Sequence, residues 1–99
     1  QGVSVAEMIN EWEGVVGSTK VEDGKDKSSL TVTLLVDPFG DLDLDEVWEL
    51  SDRYGRLMAI TAGKHGWLLC PTSWVTADWG KMSGCAAVWS LKYLGSNPS

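Results

Sequence analysis

The stretch from Leu30 to Gly55 constrains the fold more than any other, because within it the hydrophobic pattern changes from strand to helix across a marked break. Leu30 to Val36 is rich in β-branched residues; it alternates at first and then becomes continuously apolar, as a largely buried strand does. Asp37-Pro38-Phe39-Gly40 ends it. Asp43-Leu44-Asp45-Glu46 then has the form of a capping box, in which the two outer carboxylates satisfy free amides at a helix start. Val47, Trp48, Leu50 and Tyr54 follow on one broad helical face, and Gly55 is placed to end the helix.

Upstream, Ser4-Val5-Ala6-Glu7 is a second capping-box pattern, and Val5, Met8, Ile9 and Trp12 recur at helical spacing before Gly14 and Gly17 offer places to stop. Gly17 to Ser29 is polar and reads as an exposed loop. Downstream, Arg56 to Ala62 and Trp67 to Cys70 are apolar runs of strand length around Gly63-Lys64-His65-Gly66, which predicts a hairpin. Pro71 closes its second strand or marks a sheet edge, since proline cannot donate to a ladder. Thr72 to Gly84 turns to Thr, Ser, Asp and Gly with two Trp, an irregular excursion long enough to be a functional loop. Ala86 to Leu94 alternates, with Trp89, Leu91 and Tyr93 on one face against Ser90 and Lys92 on the other.

The expected order is helix, strand, helix and three strands. This is an α+β arrangement in which two short helices cover one face of a mainly antiparallel sheet, with a jelly-roll-like β fragment as the alternative. At 99 residues the chain suits one domain, 1-99, with a single core. It shows no internal repeat, no apolar run near the ~18 residues of a spanning helix, and no signal-peptide pattern at the amino end. Its start at Gln1 rather than Met suggests a processed or excised piece.

A net charge of −6 argues against gripping a nucleic-acid backbone, which needs clustered Lys and Arg. The charge is uneven: residues 1–52 hold thirteen acids and three lysines, a net of −10, whereas 53–99 hold one acid and five bases, a net of +4. If the halves occupy different faces, complementary ends steer copies together or onto a basic partner; scattered solvated charge is the plainer account. Cys70 and Cys85 are fifteen apart, which permits a disulfide without demanding one. Cys70 lies in an apolar run, which favours a buried reduced thiol.

Little catalytic chemistry is readable, and the chain is expected not to be an enzyme. Seven carboxylates fall between Asp37 and Asp52, but an EF-hand loop starting at Asp41 would place Glu46 where its turn glycine belongs. A cation site of Asp37, Asp41 and Asp43 competes with helix-dipole complementation and solvation, which explain the cluster better. Two Cys and one His are too few for a metal centre, so no metal or other cofactor is expected. Cys70 and His65, the one thiol and base near enough to pair, are five apart on a predicted strand and so on opposite faces. For Gly80-Lys81 to close a phosphate loop, its first glycine would fall on Val75.

The six tryptophans are the most unusual feature of the composition. Trp12, Trp48, Trp67 and Trp89 fall on apolar faces and are expected in the core. Trp74 and Trp79 sit in the polar excursion with Asp78 and Lys81, where they either anchor an interface or fold back as a plug on the core.

Three segments resemble parts of the jelly-roll coat proteins of picorna-like plant viruses. They are Leu30 to Val36 with Asp37-Pro38, Gly66-Trp67-Leu68-Leu69-Cys70-Pro71 with its Trp-containing loop, and Cys85 to Leu94 with Gly95-Ser96-Asn97-Pro98. The resemblance covers about a third of the chain, and implies viral capsid self-assembly. From the residues themselves the expected function is protein–protein association through Trp74, Trp79, Asp78 and Lys81, with the chain itself as one candidate partner and no membrane. The alternative is a small acidic inhibitor or regulator presenting Asp41, Asp43, Asp45, Glu46 and Glu49 to a basic partner surface.

Overall fold

A computed structural model describes residues 2–25, 28–79 and 82–95. The elements are α1 (Gly2–Val15), β1 (Thr19–Asp23), β2 (Ser29–Asp37), α2 (Leu44–Lys64), β3 (Trp67–Trp79) and β4 (Met82–Tyr93). The strands form one antiparallel sheet in the order β1-β2-β4-β3. The fold is α+β as expected, but the order of elements is not. A helix–strand–strand unit occurs twice, and the second strands of the two units lie side by side at the centre of the sheet.

The helix at the amino end begins at Gly2, so Ser4 lies inside α1 rather than at its cap. Its apolar stripe is the expected one: Met8 and Trp12 are buried, and Val5 and Ile9 pack against them. The indole nitrogen of Trp12 donates to the carbonyl of Met58 across 3.1 Å, joining α1 to α2 inside the core.

The polar segment after α1 contains a strand rather than only a loop. Thr19 to Asp23 pair with Leu34 to Leu30 as an edge strand. An edge strand with one solvated face needs little apolar content. Here half-buried Val21, packed on the core between exposed Lys20 and Glu22, supplies it.

β2 and the start of α2 follow the expected pattern. Asp43 caps α2: its carboxylate accepts the Glu46 amide at 2.9 Å, and Glu46 accepts the Asp43 amide at 3.0 Å. The helix then runs 21 residues, through Gly55 to Lys64, so it is not short and Arg56 to Ala62 is helix rather than strand. Val47, Ser51, Met58, Thr61 and Ala62 form one continuous buried stripe that outweighs the breaker at Gly55. The helix ends at His65, and Gly66, at φ +82°, takes the left-handed turn that leads into β3.

Within the expected loop, Thr72 to Trp79 and Met82 to Gly84 are not irregular either. They belong to a long hairpin in which β3 pairs with β4 from Trp67↔Tyr93 to Trp79↔Met82, interrupted by one extra residue between Pro71 and Ser73. Trp67 and Tyr93 face each other as a tilted aromatic pair, with ring centroids 4.9 Å apart. Trp67, Trp89 and Leu91 are buried as expected, together with Val32, Leu34, Val36 and Ala87.

Candidate association surface

A groove of about 460 Å³ lies between one flank of α2 and the β3–β4 hairpin. The helix contributes Trp48, Gly55 and Ala59, and the strands contribute Leu69, Pro71 and Trp89. Gly55 is what lets the sheet come close: a Cβ there would lie 3.1 Å from the indole nitrogen of Trp89. The floor is apolar, and the Asp52–Arg56 ion pair sits at its border. At the bulge the Thr72 hydroxyl donates to the Val88 carbonyl at 2.8 Å, which fixes the far wall.

Trp48 is the residue most misjudged from sequence. Expected in the core, it is 56% exposed and lines the groove. Once α2 is extended to Lys64, the buried stripe centres on Val47, Ser51 and Met58, and Trp48 falls on its flank. That extension was the signal available in the sequence.

Trp74, Asp78 and Trp79 lie on β3 rather than in a loop, opposite Ala87, Ser83 and Met82 respectively. The partner of Trp74, Ala87, is itself a groove residue. The side chains of these three, and Lys81 altogether, lie outside the described residues. Asp41, Asp43, Asp45, Glu46 and Glu49 are all exposed at the beginning of α2 or just before it. Asp43 and Glu46 are committed to the cap, and Glu49 lies 4.0 Å from Arg53.

Asp37 behaves differently from those acids. It is only 5% exposed, and its two oxygens accept the amides of Asp41 at 3.0 Å and Leu42 at 3.1 Å. The carboxylate therefore holds the β2–α2 connection instead of joining Asp41 and Asp43 around a cation, and no group of three potential metal ligands occurs among the described residues.

His65 does not face a thiol. Its Nε2 lies 2.9 Å from a Glu11 carboxylate oxygen, while Lys64 Nζ lies 3.0 Å from the other, so the end of α2 is clasped to α1. Hydrogen bonding to His65 first, and to Lys64 second, holds the Glu11 carboxyl below its ordinary value of 4.5. The native carboxylate thus binds its proton less tightly than in the unfolded chain. The clasp contributes fully above that ordinary value and is lost as pH falls through the lower native one. In thermal melts from pH 6 to 3, Glu11→Gln is expected to lose part of the acid-side decline that the wild type shows; identical slopes would rule out the clasp as its source.

Cys70 and Cys85 are both free and half-buried. Burial, and then the charge of Asp37, pushes the Cys85 thiol upward, away from the thiolate that nucleophilic chemistry requires. No helix among the described residues is long and apolar enough to cross a membrane. The chain matches no protein-family model and no curated protein sequence.

Proposed function

We propose that this chain is a protein–protein association module that works through the α2–hairpin side of the molecule, with a second copy as its partner. The observation that carries this reading is the apolar groove walled by exposed Trp48 and by Pro71. A rigid aromatic beside a concave apolar floor is the kind of feature that dominates binding energy at protein interfaces. Exposed Leu68 and Val75 add apolar surface to β3 on the opposite face of the sheet. Capsid self-assembly, as the resemblance to coat proteins implies, is one form of such association.

On this reading both helices cover one face of the sheet, and the groove opens on that face where α2 leaves the β3–β4 hairpin partly uncovered. The register supports it: Val32 and Leu34 pair with Trp89 and Ala87 on one face, and those residues cluster with Met8 and Trp12 of α1 and with Val47 and Met58 of α2.

The alternative, an acidic regulator of a basic partner, is favoured by the exposure of Asp41, Asp45 and Glu49. Sedimentation equilibrium at low and high salt separates the two. The association reading expects mass to rise with concentration at both salts, because the groove is apolar, and expects Trp48→Ala to weaken association roughly tenfold or more. A constant monomer mass at every concentration refutes it.

A further inference from the structure

We infer that two copies of the chain pair edge to edge through β3, in antiparallel register, and so join their four-stranded sheets into one. This rests on the association reading above and names how the contact is made.

The direction of every backbone group on β3 follows from two hydrogen bonds at one end of the sheet. The Leu94 amide donates to Gly66 at 2.8 Å, toward the β3 side of β4, and the Tyr93 amide donates to Ser28 at 3.4 Å, toward the β2 side. Antiparallel ladders alternate, so even-numbered residues of β4 bond to β3 and odd-numbered ones to β2. Their partners on β3 are Leu68, Cys70, Ser73, Val75, Ala77 and Trp79. Apart from the bulge residue Thr72, the others, Trp67, Leu69, Pro71, Trp74, Thr76 and Asp78, turn their backbone polar groups to the free edge. Pro71 is consistent with this assignment: it stands where no amide is needed inside the sheet.

The two edges of the sheet are guarded differently. β1 is five residues long and carries Lys20, Glu22 and Asp23. β3 is thirteen residues long, and its one charged residue is Asp78. Charged residues and shortness are the usual means by which proteins protect an edge, and β3 is long with a single charge near its end. Pro71 and the bulge beside it interrupt the edge once, which leaves Ser73 to Trp79 as an unbroken stretch of paired strand. What an unpaired row of amides and carbonyls accepts is another strand. The occupant is a second copy for two reasons. An antiparallel pair of identical edges meets each outward donor with an acceptor under a single two-fold axis. The net charge of −6 also resides away from this hairpin, whose residues 67–93 carry only Asp78, Lys81 and Lys92.

The experiment combines sedimentation equilibrium with residue-resolved amide exchange on the whole chain across a concentration series. Association is expected to slow exchange at the Trp74 and Thr76 amides, with little change at Val75, which is already bonded within the sheet. Thr76→Pro removes an outward amide and no internal bond, so it should weaken the dimer at least tenfold without altering the circular dichroism spectrum. Thr76→Lys, which puts a charge on the edge, should do the same. If mass rises with concentration while exchange at Trp74 and Thr76 stays unchanged, the edge pairing is overturned and the groove is left as the contact. If mass never rises, the association reading falls and the pairing falls with it.

Discussion

Replacing Trp12 with alanine is expected to cost about 3–5 kcal/mol, the range for deleting a large aromatic from a packed core. Trp12 is 1% exposed and is among the largest fully buried side chains in the chain. It is also the residue through which α1 joins α2, by the bond from its indole to Met58. Small domains have only about 5–15 kcal/mol of net stability, so the variant should populate unfolded chain without denaturant if the wild type lies at the low end. Trp12→Phe keeps most of the volume and loses the bond, for about 0.5–1.5 kcal/mol. Urea titration followed by circular dichroism measures both. A Trp12→Ala midpoint close to the wild type would mean that α1 is not part of the cooperative core.

Gly84→Ala should also be severe, for a different reason. A Cβ at Gly84 would lie 1.8 Å from the Asp37 carbonyl oxygen and 2.9 Å from the carbonyl carbon of Pro38. Both are backbone atoms, so no side chain can swing aside and the strands must separate. Forced overpacking costs about 1–3 kcal/mol and sometimes more, and the upper end is expected here. Asp37 is the residue that holds the Asp41 and Leu42 amides, so a displaced β2 end also disturbs the approach to the α2 cap. Gly14 is the control: nothing lies within 4 Å of a Cβ there, and it sits in a helix, where alanine is favoured. Thermal unfolding should show a large drop in Tm for Gly84→Ala and no drop for Gly14→Ala; equal melting points would remove the close approach as a constraint.

The parts of the fold legible in the sequence are those where one local signal acts unopposed. The β-branched run into β2, the Asp43–Glu46 capping box and the alternation of Trp89, Leu91 and Tyr93 each lead to the observed element. The rest depends on competition between signals. Gly55 reads locally as a helix stop and Gly63 as part of a hairpin turn, yet helix burial from Val47 to Ala62 carries α2 past both to Lys64. Thr19 to Asp23 and Ser73 to Asp78 are too polar to stand out as strands, and they form because a neighbouring strand supplies their partner. The candidate surface was legible only in part. Trp74 and Trp79 lie on the hairpin that walls the groove, in a strand rather than the expected loop. The groove was invisible because it exists only where α2 meets residues of β3 and β4 that are remote in sequence from Trp48.

The repeated helix–strand–strand order also bears on how the chain folds. Each hairpin closes between strands that are neighbours in sequence, at a small entropic cost, whereas β2 and β4 meet through pairs from Ser29↔Lys92 to Asp37↔Cys85 that are remote in sequence. The slow step is therefore the meeting of two preformed halves at the β2–β4 seam. Until that seam closes, four strand edges are open instead of two, so the half-folded chain is the species most exposed to pairing with the wrong neighbour.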